Sequence, residues 1–226
     1  MTSLEHRRRI ETPRGPVSAI HVAAPDPSAM LVVAHGAGAG MDHPFIVGFC
    51  RAIANDGVAT LRFNFPYIEA GRRSPDPAPV AVAAVRAAVA DAQALANGSP
   101  VFAGGKSFGG RMASMAVAEG TPVSGLVFLG YPLHPPGKPD RVRDEHLYDV
   151  GVPMLFVQGT ADPFATREVL EPVLRKLGER AVLAAIEGGG HSFDVRRPGA
   201  GKPDARAVGG SLAPVVAAFV RERSRG

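Results

Sequence analysis

One serine in this sequence lies in a glycine pattern that serine nucleophiles use. Gly105-Lys106-Ser107-Phe108-Gly109 fits G-x-S-x-G. An apolar run precedes this motif and a helical pattern follows it, so Ser107 is predicted to lie in a sharp turn between a strand and a helix. Such a turn raises the hydroxyl above the sheet, and its glycines allow the close backbone approach that the turn requires. We interpret Ser107 as a nucleophile, the alternative being a glycine-rich turn with an incidental serine.

A serine hydroxyl becomes an effective nucleophile when a base takes its proton. Of the seven histidines, only His191 follows the last apolar strand, in a glycine-rich segment that can fold back over the strand ends. Asp162 follows the apolar strand that ends at Gln158, and it is the candidate acid to orient His191. It could also cap a helix, because it precedes Pro163. Less well placed acids are Asp140, Asp144, Asp149 and Glu187.

Backbone amides are predicted to complete the site. The helix after Ser107 directs its first amides at the reaction centre, so the N–H of Phe108 is placed to donate to a developing oxyanion. The loop AHGAGAG follows an early strand and can bring a second amide close to a substrate carbonyl. Ala37 is the first choice for this donor and Gly38 the alternative, with His35 bracing the loop.

Two basic side chains flank the candidate nucleophile. Lys106 and Arg111 could join other arginines in a cationic rim for an acidic substrate. The interpretation that we favour from the sequence is that these cations form ion pairs with Glu69, Asp91 or Glu119. The candidate substrate contacts are Gly38, Lys106, Arg111 and Tyr67.

Short apolar runs alternate with helical patterns along the chain, which predicts βα units and a mostly parallel sheet. Strands are expected over 17–23, 30–35, 58–64, 100–105, 125–130, 152–159 and 181–186. Helices are expected over 44–55, 80–97, 165–177 and 210–222, and in the segment after Ser107, whereas 66–79 is expected to be an irregular loop. Since Ser107, Asp162 and His191 each follow a predicted strand, they should converge at the carboxyl edge of the sheet.

The 226 residues, 46% of them apolar, suit one domain, with 1–16 and 223–226 expected to be peripheral. No apolar run approaches the roughly 18 to 20 residues that cross a bilayer, and the basic start does not resemble a secretory signal. A single cysteine excludes an internal disulfide. These features lead us to expect a cytoplasmic protein.

The net charge of +4 is modest, and its arginines are scattered without interleaved aromatic residues, so neither a nucleic acid nor a membrane is the expected partner. No histidines are paired at helical spacing around a carboxylate, so no metal and no cofactor are expected. The sequence does not indicate an oligomeric state.

Five segments together resemble the α/β-hydrolase superfamily over about residues 17–222: AHGAGAGMDHPF, RFNFPY, GGKSFGGRMAS, QGTADPF and GGGHSF. They are most similar to its dienelactone-hydrolase-like branch, which includes the hydrolase-like domain of a eukaryotic chromatin-complex subunit. The resemblance implies a doubly wound, mostly parallel sheet with helices on both faces. It also implies Ser107 as nucleophile, Asp162 as acid, His191 as base, and Phe108 and Ala37 as the oxyanion hole. Dienelactone hydrolases use cysteine as nucleophile, and Ser107 departs from this in favour of an esterase-like reaction.

These observations predict a cofactor-free serine hydrolase that cleaves a small carboxylic ester or thioester through an acyl-enzyme intermediate. The alternatives are a non-catalytic binding module on a hydrolase scaffold and an acyltransferase that uses the same three residues. The segment 131–150 is short and rich in proline, so no large lid is expected. We therefore expect an open, shallow cleft for acyl groups of roughly two to six carbons.

Overall fold

The fold is described by a computed structural model of residues 4–195, 201 and 203–225. Its strands are β1 (Glu5–Ile10), β2 (Val17–Val22), β3 (Ala29–Ala34), β4 (Val58–Phe63), β5 (Val101–Lys106), β6 (Gly125–Leu129), β7 (Met154–Gly159) and β8 (Ala181–Ile186). Its helices are α1 (Pro44–Asn55), α2 (Pro66–Glu69), α3 (Ala78–Ala96), α4 (Phe108–Ala118), α5 (Arg167–Leu177), α6 (Ala205–Ser211) and α7 (Ala213–Arg223). Two short 3₁₀ helices cover Glu145–Asp149 and Gly178–Arg180.

All eight strands form one sheet in the order β1-β2-β4-β3-β5-β6-β7-β8. The strands from β3 to β8 run parallel, whereas β2 pairs antiparallel with both β4 and β1. The carboxyl ends of β5, β7 and β8 therefore lie along one edge of the sheet, and the chain turns there into the segments that carry the three candidate residues.

Helices cover both faces of this sheet. In β3, Val32 and Ala34 belong to one apolar core, which includes buried residues of α3, α4 and α5. The alternate residues Leu31 and Val33 belong to a second core, which includes residues of α1 and α7. A strand that is buried on both faces reads as a continuous apolar run, which is why the central strands were predictable. The predicted doubly wound architecture is confirmed.

The strand β1 was not predicted. Its residues are mostly charged and only Ile10 is buried, as is typical of an edge strand. Arg8 donates two hydrogen bonds of 2.9 Å to Asp91, and Glu5 accepts from the buried guanidinium of Arg62. The basic cluster near the start is thus part of the sheet edge, within the segment that was expected to be peripheral.

The helical predictions need two corrections. The single helix expected over 210–222 is two helices, α6 and α7, because Pro214 cannot donate to the carbonyl of Gly210 and its ring crowds that carbonyl. The loop expected over 66–79 begins with the one-turn helix α2, which starts at Pro66, a favoured first position.

The helix α3 is 19 residues long and contains an 18-residue window with a mean hydropathy of 1.3, so by length and composition alone it could span a membrane. No such segment was expected from the sequence. Its buried residues, among them Ala81, Val85, Ala88 and Ala92, belong to the core beside the sheet. We therefore interpret α3 as a core helix.

Among residues 4–195, 201 and 203–225, none forms a lid over the carboxyl edge of the sheet. The segment 131–150 contains one 3₁₀ turn and is anchored by Tyr131, Leu133, Leu147 and Val150, all of them fully buried. Because these anchors pack into the core, the segment is a fixed wall of the domain and not a separate insertion.

Candidate active site

Ser107 lies in a strained turn between β5 and α4. Its φ of 50° and ψ of −114° place it where residues other than glycine are rare. A Cβ atom at Gly105 would come within 2.0 Å of the Ala34 carbonyl oxygen, and one at Gly109 within 2.3 Å of the same oxygen. The turn therefore requires both glycines of the motif, because β3 passes directly against it.

The structure brings the three candidate residues into one hydrogen-bonded chain. The Nε2 atom of His191 lies 2.8 Å from Ser107 Oγ, and its Nδ1 atom lies 2.7 Å from Asp162 Oδ2. The carboxylate is fully buried, whereas the imidazole is 21% exposed. We assign the tautomer with hydrogen on Nδ1, because that nitrogen then donates to Asp162 and Nε2 accepts from the serine hydroxyl.

Asp162 is held by two further hydrogen bonds. The side-chain amide of Gln158 donates to Oδ2 at 2.5 Å, and the backbone N–H of Phe164 donates to Oδ1 at 2.8 Å. Gln158 in turn accepts from the N–H of Tyr131. The alternative role as a helix cap is not observed, since Thr166 occupies the N-cap position of α5. Sequence reasoning missed Gln158, whose only signal is a polar residue at the end of an apolar strand.

Two of the alternative acids have partners other than His191. The carboxylate of Asp144 accepts a short hydrogen bond from the Tyr148 hydroxyl, and that of Glu187 accepts one from Thr160.

Two backbone amides are available beside Ser107. Ala37 and Phe108 both line the cavity at the serine, and the described residues provide no acceptor for either N–H. Gly38, the alternative donor, instead donates its N–H to the Tyr67 hydroxyl at 2.9 Å. This bond leaves Ala37, and not Gly38, with an amide free to donate to a substrate.

Buried side chains brace the loop that carries Ala37. His35 is fully buried; its Nε2 atom accepts from the N–H of Phe65 at 3.2 Å, and its Nδ1 atom lies 2.7 Å from the carbonyl oxygen of Gly36. Burial lowers the pKa of His35 to about 4, so this histidine is neutral near pH 7. Tyr67 is also fully buried. The candidate substrate contacts Tyr67 and Gly38 thus bind each other and are not among the residues that line the cavity.

A second serine–histidine pair joins α4 to the 3₁₀ turn Glu145–Asp149. Ser114 Oγ is 2.9 Å from His146 Nε2, and both groups contact the Tyr131 hydroxyl. Ser114 and Tyr131 are fully buried, and Ser114 also donates to the Arg111 carbonyl. Burial is the main cause that lowers the pKa of His146 to about 4. Because its serine has no access to solvent, this pair fits a structural role.

A cavity of about 670 Å³ opens at Ser107 and His191. Its walls come from the Ala37 loop, α1, α4, α6, the segment 131–150 and the loop after β7. This volume lies within the usual range for small-molecule sites. The site is therefore larger than the shallow cleft expected from the sequence.

The predicted ion pairs of the cations near Ser107 are not observed. Asp91 pairs with Arg8, Glu119 pairs with Arg86, and Glu69 accepts hydrogen bonds from Ser18 and Asn64. Among the described residues, no ion pair joins an acid to Lys106 or Arg111. Both cations line the cavity. Burial lowers the pKa of Lys106 to about 8, against the opposing effect of Asp162.

Most of the chain matches a known protein family. A family model described as an alpha/beta hydrolase domain matches residues 27–218. The chain belongs to the α/β-hydrolase family.

Solved structures similar to this chain include a lidless α/β serine hydrolase from Xanthomonas campestris, with a TM-score of 0.71 and 18% identity over 100% of this chain and 95% of that one. The esterase domain of a Rhodothermus marinus protein matches with a TM-score of 0.72 and 16% identity, over 97% and 98% of the two chains. A dienelactone hydrolase from Anabaena variabilis matches with a TM-score of 0.73 and 18% identity, over 98% and 99%. At these identities the likeness shows the fold, whereas the resemblance to a chromatin-complex subunit stays a prediction.

The residues that the structure describes contain no group of three or more His, Cys, Asp or Glu side chains that could hold a metal ion. The single cysteine, Cys50, is buried, and burial raises its pKa to about 11. A thiol with this pKa is protonated at neutral pH and is a poor nucleophile.

Proposed function

We propose that this protein is a serine hydrolase that cleaves a small carboxylic ester or thioester through an acyl-enzyme intermediate. The observation that carries the proposal is the 2.8 Å contact between Ser107 Oγ and His191 Nε2, with Asp162 on the other ring nitrogen. Two free amides, those of Ala37 and Phe108, lie at the same end of the cavity. A nucleophile, a base, an orienting acid and oxyanion donors are the groups that acyl transfer requires.

In the first half of the reaction, Ser107 Oγ attacks the carbonyl carbon and its proton passes to His191 Nε2. The carbonyl oxygen takes up the negative charge and accepts hydrogen bonds from the amides of Ala37 and Phe108. Asp162 stabilises the imidazolium that forms. His191 then returns the proton to the departing alkoxide or thiolate, which leaves the acyl group on Ser107.

In the second half, water replaces the alcohol or thiol. His191 takes a proton from the water as its oxygen attacks the acyl carbon, and the same two amides hold the second oxyanion. Collapse of this intermediate breaks the bond to Ser107, returns the proton to the serine oxygen and releases the carboxylic acid.

Turnover of p-nitrophenyl acetate and of an acetyl thioester tests this proposal. We expect Ser107→Ala to lower kcat by about 10⁴ or more, because the nucleophile is removed. Ser114→Ala is the matched control, since this serine also contacts a histidine but is fully buried. If Ser107→Ala keeps the wild-type rate, or Ser114→Ala loses it while remaining folded, the nucleophile is misassigned.

A further inference from the structure

The cavity at Ser107 carries an excess of positive charge. Lys106, Arg111 and Arg143 line it, against Asp194 as the acid among the lining residues. Arg111 follows Ser107 by four residues, so it lies about one turn further along α4. Arg143 comes from the segment 131–150 and is exposed. The positive end of the α4 dipole adds to the same field.

Two polar atoms of the lining residues are buried without a partner among the described residues: Arg111 Nε and His134 Nε2. A buried donor or acceptor without a partner costs stability, because it has lost its hydrogen bonds to water. The acids that could have neutralised Arg111 are bound elsewhere, Asp91 by Arg8 and Glu119 by Arg86. Within the part of the chain that the structure describes, no acid forms an ion pair with Arg111.

The cations of this wall also act on one another. Burial and the nearby Arg111 both lower the pKa of the Arg143 guanidinium. Arg111 likewise contributes to the lowered pKa of His146, after burial. Arg111 and Arg143 therefore repel each other, and an anion placed between them would offset that repulsion.

The opposite wall is apolar. Phe45 and Ile46 come from α1, and Ala205 and Val208 come from α6. These two helices lie on the other face of the sheet from α4. The cavity therefore offers apolar surface on one side of Ser107, where Lys106 also lies over the Phe193 ring, and the two arginines on the other side.

We propose that this cavity binds an ester or thioester that carries a carboxylate in addition to the bond that is cleaved, with Arg111 and Arg143 as the residues that recognise the carboxylate. A planar guanidinium matches a carboxylate in geometry and in charge, which favours arginine for this task. This inference rests on the proposed function, and it adds the chemical class of the substrate.

Two matched pairs of substrates test the preference for charge. The mono-p-nitrophenyl ester of adipic acid is compared with p-nitrophenyl hexanoate, which places the carboxylate on the acyl side. 4-Acetoxybenzoate is compared with 4-acetoxybenzamide, which places it on the leaving-group side. We expect kcat/KM to favour the charged member of at least one pair by about tenfold or more.

Arginine variants then assign the preference to residues. Arg111→Gln and Arg143→Gln should each lower the ratio of kcat/KM for the charged ester to kcat/KM for the neutral ester by about fivefold or more, because each removes one partner of the carboxylate. Turnover of the neutral ester should continue in both variants. Arg143 is exposed on a loop, so its variant is expected to fold even if Arg111→Gln does not. Arg175→Gln is the control, since it removes the same charge from the exposed surface of α5.

Binding to the Ser107→Ala protein separates this inference from the proposed function. Calorimetry with monomethyl adipate should show binding that weakens in both arginine variants and persists in Arg175→Gln. If neutral and charged esters are cleaved equally well, or the preference survives in both arginine variants, the inference is wrong and the proposed function stands. If no ester is cleaved but this binding is observed, the inference stands without the proposed function. If neither turnover nor binding is observed, both are wrong.

Discussion

The position of His191 depends on a short relay of polar contacts. Gln158 accepts from the backbone of Tyr131 and donates to Asp162, which accepts from the His191 ring. An ionised carboxylate accepts both of these bonds without competition, because it has no proton to donate. Asp162 therefore fixes both the tautomer and the orientation of His191.

Replacing Asp162 by Asn should lower kcat by about 10³ to 10⁴, because an amide can present N–H to the imidazole and favour the wrong tautomer. Steady-state kinetics with p-nitrophenyl acetate measure this effect, and circular dichroism checks the fold. Asp149→Asn is the control, since Asp149 is exposed and lies in the 3₁₀ turn of the segment 131–150. Wild-type kinetics in Asp162→Asn would show that another acid orients His191.

The burial of Lys106 predicts how the stability of the protein depends on pH. Its pKa falls from 10.5 to about 8 on folding, mainly through burial. Below about pH 8 the Lys106 side chain is charged in both the folded and the unfolded chain, so the full cost of burying that charge reduces the stability of the folded state. Between about 8 and 10.5 the unfolded chain binds more protons, so this residue makes stability rise with pH.

Lys106→Met should therefore be more stable than the wild type at pH 7, by roughly 1–3 kcal/mol, and this difference should shrink towards pH 10.5. Urea unfolding across this range measures it. Lys138→Met, at an exposed position, should show no such trend. A difference for Lys106→Met that is independent of pH would contradict the lowered pKa.

At the scale of elements, the central strands were predictable from the sequence because burial on both faces gives apolar runs. The edge strand β1 was not, since its charged residues find partners such as Asp91 that lie far away in the chain. The same distinction holds at the site. Ser107, Asp162 and His191 each follow a strand and could be located in order, whereas the bond of Gln158 to Asp162 and the place of Arg143 in the cavity wall arise only in the folded chain.

The loop that carries Ala37 also depends on contacts between elements. Tyr67→Phe removes the acceptor of the Gly38 amide and loosens this loop beside Ser107. We expect kcat to fall by about three- to tenfold, because the oxyanion donor is less well held. Kinetics with an acetate ester measure the effect. Tyr148→Phe is the control, because the Tyr148 hydroxyl binds Asp144 away from the lining of the cavity. An equal loss in both variants would argue against a specific role for Tyr67.

At the scale of the molecule, the walls of the cavity limit the substrate. The segment 131–150 contributes Pro132, His134, Pro136 and Arg143 to the lining. Two of these side chains are polar and the other two are small proline rings, so this wall offers little apolar surface to a long acyl chain. The described residues include no lid that could add such a surface.

The specificity profile for p-nitrophenyl esters should therefore peak at roughly two to six acyl carbons and then decline. Each buried methylene adds up to about 0.8 kcal/mol only until the apolar side is full. A series of straight-chain esters, compared by kcat/KM, tests this prediction. A steady rise beyond about ten carbons would reveal an acyl channel that the described residues do not show.

The central claim is that Ser107, and not the buried Ser114, is the reactive serine. Labelling with a fluorophosphonate, followed by mass spectrometry of the peptides, measures this directly. We expect a single adduct on the peptide that contains Ser107, absent in Ser107→Ala and retained in Ser114→Ala. Labelling that persists in Ser107→Ala, or no labelling of the folded wild-type protein, would contradict the claim.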